Sequence, residues 1–193
     1  DLKRKVMLAT ILGTAQATLT KFPYLRKIWQ NNTEEERLLG VSLTGIMDNE
    51  LTNGRKHGLE KTLSALREIA VETNKEWSAI FGIPQSTAIT CVKPSGTVSQ
   101  LVDSSSGIHP RHSSYYIRTV RGDNKDPLTN FMVDSGIPSE ADFMKPDTQT
   151  VFSFPMKSPK NSVMRNDMTA IQQLEMWLLY QRHWCEHKPS VTI

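Results

Sequence analysis

The sequence predicts an α/β fold in which strands and helices alternate and the strands run mainly parallel. Three observations carry that reading. Residues 41–46 and 86–92 are short strand-like stretches separated by a long helical pattern over 58–81. A further alternation follows, with strand patterns at 114–120 and 149–154 and helical patterns at 126–135 and 169–187. The chain has 193 residues, 38% of them hydrophobic and 22% charged, enough to bury a core in a single domain, with no repeat and no low-complexity linker to divide it.

Taken in order, Leu2, Val6, Ala9, Leu12 or Gly13, Gln16 and Leu19 recur at helical spacing with alanine-rich filling, and Pro23 ends that element. Thr33 and Glu36 have capping-box spacing, with Glu34 and Glu35 in the first turn, so a short helix is expected to start there and stop before Gly40. Residues 41–46 alternate apolar and small polar side chains as a strand does, and Asn53–Gly54 marks a turn. Over 58–81, Leu59, Leu63, Leu66, Ile69 or Ala70, Thr73 and Trp77 make one stripe, with Gly82 placed to cap the C-terminus before Pro84. Asp126 suits an N-cap, Pro127 the first helical position, and Gly136 the closing turn. The chain opens at Asp1 inside a helical pattern and stops at 190–193 in what reads as the beginning of a strand, so a segment of a longer polypeptide is expected.

The run Thr90-Cys91-Val92-Lys93-Pro94-Ser95-Gly96-Thr97-Val98-Ser99 carries the chemistry. A strand feeding a short Pro/Ser/Gly/Thr turn, with a helix start behind it, aims backbone N–H groups and hydroxyls at one point and makes a cradle for a phosphate group. Pro94 stiffens the approach, Gly96 lets a ligand come close to the main chain, and Ser95, Thr97 and Ser99 add hydroxyl donors. On spacing alone a plain turn stays open as the alternative, since Ser/Gly-rich turns after strands are common. Neither a Walker loop nor a Gly-x-Gly-x-x-Gly fingerprint is present.

Other candidates are weaker. The formal charge is +3, with basic and acidic residues interspersed, so no nucleic-acid surface is required, and no apolar stretch approaches the length of a membrane span. Cys91 and Cys185 are the only cysteines and form no Cys-x-x-Cys pair, which favours two reduced thiols. His183 and His187 stand four apart on the last helical pattern, a possible metal pair without a third ligand nearby. His109, Arg111 and His112 lie in a loop shortly after the cradle, where Arg111 or a histidine could pair with ligand charge. Trp177 and Trp184 read as core.

Four blocks together resemble one family. Residues 32–46 (Asn-Thr-Glu-Glu-Glu-Arg-Leu-Leu-Gly-Val-Ser-Leu-Thr-Gly-Ile) are similar to a block of the large catalytic chain of ribonucleotide reductases, and residues 86–101, with Lys93 to Ser99, are similar to that family's substrate-phosphate loop. Ser105-Ser106-Gly107-Ile108-His109-Pro110 leading into Tyr115-Tyr116-Ile117-Arg118 and Asp126-Pro127-Leu128 resembles the stretch that follows, and residues 183–193 resemble a helix-to-strand junction of the same barrel. Among subclasses the likeness is to the adenosylcobalamin-dependent, monomeric ribonucleoside-triphosphate reductases.

The resemblance implies a partial ten-stranded α/β barrel, with residues 1–193 one segment of the catalytic barrel domain, incomplete at both ends. It implies reduction of ribonucleoside triphosphates to 2′-deoxyribonucleotides for DNA synthesis by a thiyl radical, with adenosylcobalamin as cofactor, a deoxynucleotide allosteric effector and a thioredoxin-like reductant. A cytoplasmic enzyme with neither nucleic-acid nor membrane partners is expected. The family's Asn-Pro-Cys-x-Glu motif is missing, so no catalytic residue carries over and the segment is expected to be inactive alone. What carries over is Pro94, Ser95, Gly96, Thr97, Val98 and Ser99 as the substrate-phosphate site. The diphosphate-using and iron-dependent reductase classes, and a non-catalytic phosphate-binding module, remain rival readings; a basic nucleic-acid binder is disfavoured by the small charge.

Overall fold

The computed structural model describes residues 1–193 as two compact units, one made of residues 1–111 and 161–193 and the other of residues 112–160. The sequence shows no boundary at either join.

The first unit is built on a long helix and a parallel strand pair. Helix α1 spans Leu2–Gln16, α2 Lys27–Glu36, strand β1 Val41–Ser42, α3 Leu59–Phe81, β2 Thr90–Cys91, α4 Val98–Leu101 and α6 Ala170–His183. Strands β1 and β2 pair in parallel, Val41 opposite Thr90 and Ser42 opposite Cys91, with α3 as the crossover a parallel connection requires. Helix α3 follows the expected stripe: Leu59, Leu63, Leu66 and Ala70 are buried, and Gly82 closes it in the left-handed conformation at φ 66°. These side chains meet Val6, Ile46, Met47, Ile89, Val92, Tyr180 and Trp184 in one core. Asn74, beside the stripe, is fully buried; its Nδ2 donates to Thr14 Oγ1 and Ser86 Oγ, and its Oδ1 accepts from Ser86 N, joining α1, α3 and the approach to β2.

Several elements differ from expectation for local reasons. The buried side of α1 is Val6, Thr10 and Thr14 rather than Ala9, Leu12 and Leu19; each threonine hydroxyl donates to a carbonyl four residues back, so it can be buried without loss. Thr33 lies inside α2 instead of starting it, its hydroxyl donating to Trp29 O, and Arg37 in the left-handed region (φ 47°) ends the helix where a start had been read. The strand expected over 41–46 is cut short because Gly45, at φ 67°, turns the chain into a single 3-10 turn at Ile46–Asp48. His187 lies beyond α6, which ends at His183. The C-terminal residues form no strand, although Ser190 N donates to Val92 O.

The second unit is antiparallel where mainly parallel strands were expected. Strands β3 (Tyr115–Asp123), β5 (Gln149–Lys157) and β4 (Ser139–Ala141) lie in the order β3-β5-β4, β4 being a short strand the sequence did not announce. Helix α5 (Pro127–Asp134) starts as expected, with the Asp126 carboxylate accepting from Leu128 N. It lies against the sheet at Gly122, where a Cβ would collide with Thr129 Oγ1. No helix of the chain is long and apolar enough to cross a membrane.

Because Leu63 has no exposure at the centre of the first unit, Leu63→Ala should destabilise the protein by about 2–5 kcal/mol. A urea midpoint lowered without a change in slope would show it; an unchanged midpoint would mean that α3 contributes little to the core.

Candidate functional site

Strand β2 is held on both sides before it releases the loop. On one side lies β1; on the other, Trp184 Nε1 donates to Cys91 O at 2.7 Å, Glu186 N to Thr90 O at 2.9 Å and Ser190 N to Val92 O at 3.0 Å. The Glu186 carboxylate accepts from Ile89 N and Thr90 N and pairs with Arg67. Burial alone would raise the Glu186 pKa, but those two N–H groups and the guanidinium outweigh it and hold the carboxyl below its ordinary 4.5.

From this root, Pro94, Ser95, Gly96, Thr97, Val98 and Ser99 turn through an exposed loop into the four-residue α4. The Ser99 hydroxyl is buried and donates to Ser95 O at 2.6 Å, so it tightens the turn rather than facing outward. Ser95 Oγ accepts from Gly107 N at 2.8 Å and lies 2.8 Å from Thr44 Oγ1, a hub between the loop and its neighbours. Left without partners inside the chain are the N–H groups of Gly96, Thr97 and Val98 and the Thr97 hydroxyl. Lys93, at the loop's entrance, is exposed and makes no ion pair. Unpaired main-chain donors with a lysine beside them suit a multiply charged anion. Gly96 has nothing within 4 Å of where a Cβ would stand, so its outer face is open.

Lys93, Pro94, Ser95 and Val98 line a groove of about 670 Å³ together with Leu12, Leu38, Ser42 and Thr44. A larger groove of about 830 Å³, between the 53–58 turn and α6, does not reach the loop; the chemistry follows the donors rather than the volume. The sequence reading missed Thr44, Ser42 (whose Oγ accepts from Lys93 N at 3.0 Å) and Gly107, because they reach the loop only through the parallel pairing of β1 and the return of the 103–107 loop.

Arg111 does not face a ligand. Its side chain is 2% exposed and bonds Asp48 through Nε at 3.0 Å and Nη2 at 2.9 Å. His109 bonds within the chain as well, Nδ1 lying 3.0 Å from Ser106 O and Nε2 accepting from Thr192 N. His183 Nδ1 is 3.1 Å from Ser64 Oγ, and no three His, Cys, Asp or Glu side chains gather as a metal site. Cys91 and Cys185 are buried and free; burial pushes both thiols up, Cys185 to about 12 with Cys91 nearby adding to it, while Lys93 opposes the rise at Cys91. Thiols in this state are poor nucleophiles.

Two outcomes follow. A carboxyl held below its free value adds stability that is complete above about pH 4.5 and is lost as pH falls through the lowered value, so Glu186→Gln should be less stable than the parent at pH 7 and lose less further stability between pH 5 and 3. Parallel acid titrations of the parent would refute this if they showed the same slope. Iodoacetamide at pH 8 should label neither cysteine in the native protein and both in urea; fast native labelling would contradict the burial.

No family model matches the chain. It is 30% identical over 168 residues to the adenosylcobalamin-dependent ribonucleoside-triphosphate reductase of Euglena gracilis, covering 86% of this chain and 23% of that protein. It is 27% identical over 203 residues to the enzyme of the same name from Lactobacillus delbrueckii subsp. bulgaricus, covering 91% and 27%. A crystal structure of a B12-dependent (class II) ribonucleotide reductase superposes on the whole chain with a TM-score of 0.82 at 25% identity, using 30% of its own length. The chain thus spans about a quarter of the curated relatives it matches. Its α/β elements match part of that enzyme's fold, and in sequence and structure the chain is similar to a segment of the adenosylcobalamin-dependent ribonucleotide reductases.

Proposed function

We propose that the protein containing this segment reduces ribonucleoside triphosphates to 2′-deoxyribonucleotides for DNA synthesis, and that Pro94 to Ser99 hold the substrate's phosphates. The observation that carries the loop assignment is the set of free N–H groups at Gly96, Thr97 and Val98, at the end of a strand whose own backbone is bonded on both sides. The reaction itself rests on the names of the relatives. The proposal includes adenosylcobalamin as cofactor, a thioredoxin-like reductant, a deoxynucleotide effector and a cytoplasmic location. The whole of residues 1–193 is proposed to belong to the catalytic barrel domain.

In this reading the chain's own residues bind and orient. The three N–H groups and the Thr97 hydroxyl take phosphate oxygens, and Lys93 adds a point charge. Binding energy gathered at the phosphates fixes the ribose at a distance from the loop. Adenosylcobalamin supplies radical initiation when bound. The residues present do not build its site: His109 and His183 are engaged within the chain, and no donor cluster adjoins the loop. Neither Cys91 nor Cys185 stands in the Asn-Pro-Cys-x-Glu context of the family's radical and redox cysteines, so neither is assigned such a role. Positioning is therefore the contribution assigned to the segment.

Gly96→Val should keep the fold, since no atom of the protein stands where the new side chain begins, yet raise KM for ribonucleoside triphosphate at least about tenfold in the full-length protein by blocking approach to the main chain. The assay is dithiol-dependent deoxynucleotide formation with and without adenosylcobalamin. Unchanged KM would sink the loop assignment, and product independent of cobalamin would move the enzyme to another reductase class.

A further inference from the structure

We propose that Asp48 and Arg111 are a positioning pair that sets the distance between the two walls of the phosphate loop, an inference that rests on the loop's reading as a phosphate site. Neither residue lines the groove. Their side chains are 11% and 2% exposed, and the guanidinium meets the carboxylate through both Nε and Nη2.

What the pair grips is backbone. Asp48 Oδ2 also accepts from Ser105 N at 2.7 Å, and Arg111 Nη2 also donates to Asp103 O at 2.7 Å, so one ion pair fixes two main-chain groups of the 103–107 loop. Two residues after Ser105, Gly107 N donates both to Ser95 Oγ at 2.8 Å and to Thr44 Oγ1 at 3.0 Å. At Gly107 the walls are close, since a Cβ there would stand 3.3 Å from Lys93 O. Thr44 and Asp48 belong to the same turn after β1, the first touching the loop directly and the second holding the wall that faces it.

A buried ion pair can often be exchanged for apolar residues of similar volume without loss of stability. Apolar residues could not accept from Ser105 N or donate to Asp103 O, and these are the contacts that place Gly107. The arrangement therefore serves geometry at the loop. The charge that the sequence offered as a ligand partner acts on the ligand's holder instead.

The test uses the full-length reductase with Asp48→Asn, Arg111→Lys and Thr44→Val, the last leaving the pair intact and removing the hydroxyl between the walls. Measured for each are KM and kcat for ribonucleoside triphosphate, the affinity for the corresponding nucleoside without phosphates, and the melting temperature. We expect KM to rise about tenfold, kcat to stay within about twofold, and nucleoside affinity to hold. Thr44→Val decides the matter if the pair variants do not fold. Unchanged KM in the folded variants, or equal losses for nucleoside and triphosphate, would overturn the inference. Gly96→Val in the same assay separates the failures: if it too leaves KM unchanged, the loop reading is wrong, and if it alone raises KM, only the positioning role is wrong.

Discussion

Saturation of the β2 backbone is the constraint on which the candidate site depends. A strand can end in a loop of unpaired N–H groups only if its own polar groups are met elsewhere, because buried unpaired amides cost more than a short element can return. Here the two residues of β2 are met by β1 on one side and by the stretch from Trp184 to Ser190 on the other. That stretch contributes a buried indole, a carboxylate and two main-chain N–H groups, so residues with no regular structure complete the strand. The core that holds α3, Tyr180 and Trp184 also takes in Ile89 and Val92, so the root of the loop is buried while its tip is exposed.

Polar economy recurs around the loop. Hydroxyls that could have faced a ligand are spent on its architecture: Ser99 on its own turn, Ser95 and Thr44 on Gly107. What is left for an anion is mainly main chain, which resists substitution and has little side-chain freedom to lose on binding. A phosphate held by such a loop is recognised by curvature and N–H direction, and the base and sugar are left for other residues to read.

The long elements were legible in the sequence. Helix α3 showed its full stripe and its terminal glycine, and α5 its Asp-Pro start, because local patterns alone decide them. The loop was legible as a turn between a strand and a helix start, since Pro, Gly and hydroxyl residues crowd one place after a strand. What could not be read depended on distant partners. The side of α1 that is buried is set by Asn74 and the α3 surface, so hydroxyls bonded to their own helix lie inside while Leu12 faces the groove. Arg111 carried the signal of a ligand-binding charge, but only the fold reveals that Asp48, sixty-three positions earlier, had claimed it. Thr33 and Glu36 have capping-box spacing but make no cap: the threonine bonds back to Trp29 inside α2, which begins six residues earlier at Lys27 and ends at Glu36.

The contact between Gly122 and Thr129 has a consequence for how such a chain can drift over time. The glycine is there because a helix side chain occupies the space its own would need, not because of its backbone angle, for Gly122 is not among the positive-φ residues. The two sites are therefore coupled: a methyl at the strand position needs a smaller residue at the helix position, and even then Phe152, 3.3 Å from where it would stand, must give way slightly.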